Sequence, residues 1–286
     1  MNTVVKKKNN KLLKGYTIIP GFGLSLGFTV SYISILVLLP LSMIFINSLN
    51  IGMSDILKIL SEPRVISAFK VSFLAAFLAA GLNAVFGFLI AWVIVRYNFF
   101  GKKIIDSLID LPFALPTAVA GITLTTLYAQ DGWIGKYLSI FGIKVSFTFL
   151  GIVVALSFIS IPFVVRTVQP VIENLDKEVE EAARSLGSNS FITFVKVIIP
   201  EVFPALLTGF SLAFARAVGE YGSVVFISGN MPMKTEIAPL IIMTKMEQYD
   251  YEGATVIAGA MLVISFVAML IINLLQWYTS SYHKAR

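Results

Sequence analysis

The residues Glu181–Pro200, EAARSLGSNSFITFVKVIIP, form the longest polar interval in a chain that is otherwise mostly apolar. Glu178, Glu180 and Glu181 lie just before and at its start and favour the first turn of a helix, because negative charge there offsets the helix dipole. Gly187 is typical of a left-handed C-terminal cap, and Ser188 or Ser190 is suited to cap a second helix. Pro200 then interrupts the backbone before the next apolar run. The interval predicts a short helical elbow between two membrane segments, suited to contact a partner outside the membrane.

The composition of the whole chain indicates an integral membrane protein. Of its 286 residues, 57% are hydrophobic and only 13% are charged, and the mean hydropathy is +0.86. A soluble domain carries about 25% charged residues, which argues against an ordinary soluble fold. The chain has no cysteine and a single histidine, His283, which excludes disulfides, thiolate metal sites and a histidine-based triad. We therefore expect an all-α membrane protein that moves a substrate and has no catalytic or metal site.

Several apolar segments are long enough to cross a membrane, for which a helix needs about 20 residues. We predict about six transmembrane helices, at Gly23–Ile46, Ala68–Val95, Ile104–Tyr128, Phe147–Val168, Val202–Ser228 and Ala254–Trp277. The predicted domains are a basic cytoplasmic N-terminus at 1–22, a transmembrane domain at 23–277 and a cytoplasmic tail at 278–286. The transmembrane domain includes a cytoplasmic loop at 169–201, which contains the elbow.

Lys and Arg are unevenly distributed between the two sides of the predicted segments. They are concentrated in the N-terminus, in the turn after the second segment, in the 169–201 loop and in the tail. Because basic loops tend to stay on the cytoplasmic side, both termini and the elbow are predicted to face the cytoplasm. Membrane orientation thus explains the net charge of +6, and binding to nucleic acid is not expected.

The second and fifth segments carry stripes of small residues. One stripe consists of Ala75, Ala79, Asn83, Gly87 and Ala91, and the other of Gly209, Ala213 and Ala217. Residues four apart lie on one face of a helix, and small side chains there let two backbones approach closely in lipid. We expect these stripes to serve packing rather than chemistry.

The third segment carries two carboxylates and two prolines. Pro112 and Pro116 remove backbone donors and are predicted to kink the helix. Asp106 and Asp110 lie one turn apart, and their simplest interpretation is an interfacial salt-bridge cluster with the adjacent pair Lys102–Lys103. Acid–base chemistry or a cation site is the alternative for the same carboxylates.

Two ionisable residues lie deep in the fifth segment. Arg216 and Glu220 are four residues apart, and an ionised side chain at that depth costs roughly 2.5–3.5 kcal/mol. Each needs a partner or water, so they either pair within one helix or contact other helices along a transport pathway. Gly219 and Gly222 permit close approach or a bend at the same place.

The elbow resembles the EAA loop of the membrane subunits of ABC importers. The residues in register with that motif are Glu181, Ala182, Ala183, Gly187, Val197, Ile199 and Pro200, with Val197 and Ile199 standing where Ile and Leu are commoner. The resemblance implies a type I ABC importer permease fold in which the elbow contains a cytoplasmic coupling helix. It assigns ATPase coupling to Glu181, Ala182, Ala183, Gly187 and Pro200.

Two further stretches resemble the branch of these permeases that imports oxyanions. DLPFALPTAVAG covers Asp110–Gly121, and ARAVGEYG covers Ala215–Gly222. With the elbow, they make the chain similar to the sulfate/thiosulfate permease subunits of ABC importers. On this resemblance, the expected substrate-pathway residues are Arg216, Glu220, Gly219, Pro116 and Thr117.

The resemblance also implies partners. These are a second homologous permease subunit, two copies of a cytoplasmic ABC ATPase, an external sulfate-binding protein and the lipid membrane. ATP and Mg are expected on the ATPase, because this chain has no G-x-x-x-x-G-K-[ST] loop, and no cofactor of its own is expected. The expected location is the plasma (inner) membrane, as a multi-pass protein, with a plastid envelope as the alternative.

Other functions stay open on the residues alone. A molybdate or tungstate permease of the same architecture is the nearest alternative, because those ions share the charge and geometry of sulfate. A secondary transporter driven by an ion gradient would use the carboxylates of the third or fifth segment. A channel or an assembly scaffold would need no ATP, so dependence of uptake on an ATPase distinguishes these classes.

Overall fold

The computed structural model describes residues 22–49 and 51–284, except for the side chains of residues 49, 177 and 278–284. All the regular elements in this part of the chain are helical. They are α1 (Phe22–Ile33), a π-helical turn (Ser34–Leu38), α2 (Leu39–Leu49), α3 (Met53–Leu60), α4 (Pro63–Arg96), α5 (Lys102–Ile109), α6 (Leu111–Ala114), α7 (Thr117–Tyr128), α8 (Gly135–Ile140), α9 (Phe149–Glu173), α10 (Lys177–Ser185), α11 (Ser190–Thr193), a second π-helical turn (Phe194–Ile198), α12 (Ile199–Val218), α13 (Val224–Ile227), α14 (Ala238–Glu247) and α15 (Tyr251–Lys284).

Fewer helices than predicted are long enough to span a membrane. Among the described residues, five stretches are long and apolar enough to cross a membrane: Phe22–Ser48, Pro63–Arg96, Phe149–Glu173, Ser190–Val218 and Tyr251–Trp277. The sixth predicted span, Ile104–Tyr128, is divided into shorter helices. The protein is therefore an all-α, multi-pass membrane protein.

The helix Phe22–Ser48 belongs to a unit of its own, residues 1–50. It contains the predicted span Gly23–Ile46. It is apolar along its whole length, and none of its described side chains is buried within the unit. A helix that is hydrophobic on every side is typical of a membrane span, whose surroundings are lipid.

In the second unit, residues 51–286, the helices α4, α9 and α12 pack against one another around the main hydrophobic core. The residues of both predicted stripes are buried, which confirms their packing role: Ala75, Ala79, Asn83, Gly87, Ala91, Gly209, Ala213 and Ala217. A Cβ added at Gly87 would lie 2.9 Å from Val164 Cγ1, and one added at Gly209 would lie 2.9 Å from Val164 Cα. Val164 of α9 therefore lies directly against the backbones of α4 and α12.

Asn83 is the polar member of the α4 stripe, and its side-chain amide forms hydrogen bonds with residues of α9. Its Nδ2 donates to the carbonyl oxygen of Ser157 and to Ser160 Oγ, each at 2.9 Å. In a membrane interior a polar group without a partner is costly, so these bonds favour one register between the two helices.

A π-helical turn lets the membrane helix Ser190–Val218 continue through a proline. The Ile199 N–H donates to the Phe194 carbonyl, five residues back, and Pro200 follows. Proline has no N–H and its ring crowds the carbonyl four residues earlier, so a locally wider turn accommodates it. The other π-helical turn, Ser34–Leu38, likewise ends two residues before a proline, Pro40. Pro200 therefore does not interrupt the backbone as predicted, since the helix is continuous over Ser190–Val218.

The third predicted span, Ile104–Tyr128, is broken into α5, α6 and α7. Leu115 separates α6 from α7 with an extended backbone, φ −84° and ψ 134°. The residue before a proline is disfavoured in the helical region, and Leu115 precedes Pro116. Pro112 lies in the first turn of α6, where its missing N–H is tolerated. The prediction of one kinked helix is wrong, because the second proline ends a helix instead of bending it.

Arg166 of α9 holds the broken segment in place. Its Nε and Nη2 donate to the two oxygens of Asp110 at 2.9 and 2.7 Å, and its Nη1 donates to Asp106 Oδ1 at 2.6 Å. A planar guanidinium suits such two-pronged recognition of a carboxylate. The predicted salt-bridge cluster is confirmed, but its cation is Arg166 and not the pair Lys102–Lys103.

The fifth predicted span, Val202–Ser228, differs from the observed helix at both ends. The continuous helix begins at Ser190 and ends at Val218, and a turn at residues 219–223 separates it from α13. Two of the five residues in that turn are glycines, which have low helix propensity. The membrane segment is thus interrupted within the predicted span.

The connection between α13 and α15 is fixed to the start of α4. Glu236 accepts hydrogen bonds from Arg64 Nε at 2.8 Å and Arg64 Nη2 at 2.6 Å. Nearby, the Ala238 N–H donates to Ser72 Oγ at 2.8 Å. These bonds join α14 to the end of α4 opposite Arg96.

Asp250 caps α15, the last helix. Its Oδ2 accepts from Lys245 Nζ and its Oδ1 from the Gly253 N–H, both at 2.9 Å. The hydrogen bond from Lys245, and then that from the backbone, lower the pKa of the Asp250 carboxyl. The predicted span Ala254–Trp277 lies within α15, and residues 278–284 continue the helix.

The contact at Val164 predicts different tolerance of two glycines on α4. Gly87→Leu is expected to lower the thermal unfolding midpoint of the purified protein in detergent, because overpacking a tight core costs about 1–3 kcal/mol. Gly81→Leu is the control, since a Cβ at Gly81 meets nothing within 4 Å. Equal losses in the two variants would contradict this packing arrangement.

Candidate transport pathway and coupling site

The elbow begins with a capped helix. Asp176 precedes α10, and its Oδ1 accepts a hydrogen bond from the Glu178 N–H at 3.0 Å. Glu178 and Glu180 lie in the first turn, where negative charge is favourable. The capping role of Asp176 was not predicted, although an Asp directly before a Glu-rich helix is a recognisable signal.

The end of α10 is set by Gly187. This residue has φ +83°, in the left-handed region predicted for it. The Ser188 N–H donates to the Ala183 carbonyl at 3.0 Å and the Gly187 N–H to the Arg184 carbonyl at 2.9 Å. These two bonds are those of a Schellman motif. The predicted cap is confirmed.

The second helix of the elbow is capped by Asn189. Its Oδ1 accepts from the Ile192 N–H at 2.8 Å. The prediction that Ser188 or Ser190 caps this helix is wrong, because α11 begins at Ser190 and the residue before it takes the cap position. The loop predicted at 169–201 is also shorter, since α9 continues to Glu173.

The predicted coupling residues fall on two elements. Glu181, Ala182 and Ala183 lie on α10 and Gly187 in its terminal turn, whereas Pro200 lies in the first turn of α12. Glu181 and Ala182 are exposed.

Apolar side chains are exposed at the tip of the elbow. Leu186 is 89% exposed, Phe191 is 73% exposed, and Val179 is half-exposed. Glu178, Glu181 and Arg184 of α10 are exposed as well. Exposed apolar side chains next to charged ones are typical of a protein-binding surface.

The predicted pathway residues Arg216 and Glu220 pair with each other. Arg216 Nη1 lies 2.6 Å from Glu220 Oε2, and the side chains are 32% and 3% exposed. Glu220 Oε1 also accepts from the Ser223 N–H at 2.9 Å and from Ser223 Oγ at 3.0 Å. Of the two interpretations, the local ion pair is observed. The role of Ser223 was not predicted.

Two helix breaks meet beside this ion pair. A Cβ added at Gly222 would lie 2.2 Å from Thr117 Oγ1, and one added at Gly121 would lie 2.4 Å from the Ser223 carbonyl oxygen. Pro116 is the residue before α7, so Thr117 opens that helix. The start of α7 and the turn at 219–223 are therefore in direct contact.

Gly219 differs from Gly222 in its surroundings. It ends α12, with φ −84°, and a Cβ there would meet nothing within 4 Å. Close approach or a bend was predicted for these glycines, and the close approach is observed at Gly222. Gly219 instead lies at the bend between α12 and the turn.

Arg216, Glu220, Gly219, Pro116 and Thr117 are thus gathered where two interrupted membrane segments meet, away from the elbow. Interrupted helices leave backbone N–H and C=O groups free at membrane depth, and such backbone is tolerated where it is buried in protein or lines a water-filled cavity. In the part of the chain that the structure describes, no group of three or more His, Asp or Glu residues is arranged to hold a metal ion.

Comparison with protein families gives one match over most of the chain. Residues 83–277 match the family described as binding-protein-dependent transport system inner membrane component. The chain is 50% identical over 248 residues to a probable sulfate transport system permease protein of Nephroselmis olivacea, with 87% of each covered. It is 46% identical over 259 residues to the sulfate transport system permease protein of Escherichia coli, with 91% of this chain and 94% of the relative covered.

Solved structures with the same fold come from ABC transporters. One is a chain of a bacterial ABC transporter involved in the import of the acidic polysaccharide alginate, with a TM-score of 0.72 at 14% identity, covering 90% of this chain and 96% of that one. Another is from an alginate ABC transporter in complex with a pentasaccharide-bound periplasmic protein, with a TM-score of 0.71 at 17% identity, covering 88% and 92%. The fold is that of type I ABC importer permeases, and the chain belongs to the family of binding-protein-dependent transport system inner membrane components.

Proposed function

We propose that this chain is the membrane-spanning permease subunit of an ATP-driven ABC importer that translocates sulfate or thiosulfate delivered by an external binding protein. The observation that carries the proposal is the identity of 46–50% to sulfate transport permeases over most of the chain. The exposed elbow, with its EAA motif, supports the requirement for an ATPase partner.

The proposed assembly contains a second homologous permease subunit, two copies of a cytoplasmic ABC ATPase and an external sulfate-binding protein. ATP and Mg bind the ATPase, because the chain carries no phosphate-binding loop. The permease itself performs no chemistry. The assembly lies in the plasma (inner) membrane, with both termini and the elbow cytoplasmic, on the basis of the Lys and Arg distribution.

In the proposed mechanism, α10 lies in a groove of the ATPase. Leu186 and Phe191 supply apolar contact area at the tip, and the Gly187 cap fixes the angle between α10 and α11. Closure of the ATPase dimer on ATP moves the elbow, and the membrane helices pass between outward-open and inward-open states. ATP can shift this equilibrium only through its different affinity for the two states of the assembly.

In the proposed pathway, Arg216 favours entry of an anion. It lies in the last turn of α12, beside the turn at 219–223, and a third of its side chain is exposed. Glu220 holds it by a short charge-assisted bond and reduces its net field, so that the anion is released again. The helix start at Thr117 adds backbone donors to the same region.

The proposal predicts ATP-driven sulfate uptake by proteoliposomes that contain this chain, its partner permease and the ATPase. Labelled sulfate is expected to accumulate only when ATP and the external binding protein are present, and accumulation should survive an uncoupler. Excess thiosulfate should compete and excess molybdate should compete weakly.

Other results would identify a different function. Stronger competition by molybdate than by thiosulfate would favour the molybdate or tungstate permease. Loss of uptake with an uncoupler would indicate a gradient-driven transporter, and uptake without ATP would indicate a channel.

The role of Arg216 can be separated from its support of Glu220. Arg216→Gln is expected to lower sulfate flux on the order of ten-fold, the effect of removing about 1.4 kcal/mol of favourable interaction. The single variant leaves the Glu220 carboxylate without its cation, and the double variant Arg216→Gln/Glu220→Gln removes that carboxylate too. Its flux should stay low if Arg216 acts on the anion. Recovery of wild-type flux in the double variant would contradict that role and leave Arg216 as the structural partner of Glu220.

A further inference from the structure

Arg96, the last residue of α4, forms an ion pair with the elbow. Its Nη2 donates to Glu180 Oε1 at 2.6 Å, and the two side chains are only 14% and 17% exposed. Of the α10 side chains that the structure describes, Glu180 makes the one hydrogen bond or ion pair to another helix. The polar connection between α10 and α4 therefore consists of this contact.

The guanidinium of Arg96 also packs against a cluster of aromatic rings. The guanidinium carbon lies 5.2 Å from the centre of the Trp92 ring, within the range of a cation–π interaction. Trp92 in turn meets Phe194 edge-on at 5.8 Å, and Phe88 contacts both rings at about 6 Å. Phe194 opens the π-helical turn that leads into α12. The same end of α4 thus contacts both arms of the elbow.

A pocket of about 260 Å³ lies between α10 and the start of α12. Its lining includes Val179 and Glu180 of α10 and Val197 and Glu201 on the other side. Close packing transmits displacement, so a gap at this place leaves fewer packed contacts between α10 and α12. The ion pair between Glu180 and Arg96 is the polar contact through which a movement of α10 can reach α4.

From Arg96 the contacts continue into the core of the molecule. Phe88 lies beside Gly87, which abuts Val164 of α9, and Val164 abuts Gly209 of α12. The contacts of α4 thus extend from Arg96 to the point where the three core helices meet.

We propose that Arg96 is a positioning residue that transmits movement of the coupling helix α10 to α4 during transport. The proposal rests on the proposed function, in which an ATPase moves the elbow. The planar guanidinium of Arg96 places its face on Trp92 and donates from its edge to Glu180 at the same time. A lysine cannot replace it, because a compact ammonium has no planar face.

The test uses the reconstituted complex of this chain, its partner permease, the ATPase and the external binding protein, and it measures ATP hydrolysis and labelled sulfate uptake in the same vesicles. Arg96→Glu is expected to lower uptake per ATP on the order of ten-fold while the ATPase still copurifies and hydrolyses ATP. The charge-swapped variant Arg96→Glu/Glu180→Arg should recover most of the wild-type ratio.

Lys103→Glu is the matched control. Lys103 is exposed on the following helix and makes no ion pair within the described residues, so the same charge reversal should leave uptake per ATP unchanged.

Two results would overturn the proposal. The first is an unchanged ratio in Arg96→Glu. The second is loss of uptake together with loss of ATPase copurification that the charge swap does not repair, which would make Arg96 a residue of folding alone. Absence of ATP-dependent sulfate uptake by the wild-type complex is a separate failure, because it refutes the proposed function before any variant is compared.

Discussion

Val164 lies between two glycines on different helices, and this contact lets three long membrane helices approach almost backbone to backbone. Lipid tails are as apolar as leucine, so burial of apolar side chains gives membrane helices little reason to associate. Close van der Waals contact and a few interhelical hydrogen bonds must supply the attraction instead. Gly87 and Gly209 allow the close van der Waals contact. Asn83 supplies the interhelical hydrogen bonds, which it donates to Ser157 and Ser160.

The other functional parts of the molecule are attached to this three-helix core. Arg166 lies two residues beyond Val164 on α9 and binds the carboxylates that anchor the broken third segment. Arg96 ends α4 and binds the elbow, while α12 begins as the second arm of that elbow and ends beside Glu220. The elbow and the ion pair at Arg216 therefore lie at opposite ends of α12, and α12 contacts α9 at Val164 between them.

Features determined by neighbouring residues could be predicted from the sequence. The left-handed cap at Gly187 and the small stripe through Gly87 are of this kind, because a short pattern contains all the information that they need. The salt-bridge cluster at Asp106 and Asp110 was predicted with the wrong cation, since Arg166 is far away in sequence and only folding brings it close.

Helix ends were predicted less well, because they depend on competition between local effects. The second helix of the elbow and the span beginning at Val202 were predicted as separate, yet one continuous helix runs from Ser190 to Val218. The prolines of the third segment act differently from each other: Pro112 opens a helix, whereas Pro116 makes Leu115 extended. The pairing of Arg96 with Glu180 joins residues on separate helices and has no signature in the sequence.

Coupling to an ATPase requires an elbow that faces the cytoplasm, and single cysteines test this most directly because the chain has no cysteine of its own. Ser190→Cys, in the elbow, and Ser139→Cys, in the connection before α9, both replace exposed serines. With a membrane-impermeant maleimide, Ser190→Cys should be labelled in inside-out vesicles and not in intact cells, and Ser139→Cys should show the reverse. Labelling of Ser190→Cys in intact cells would contradict the account, because no cytoplasmic ATPase could then reach the elbow.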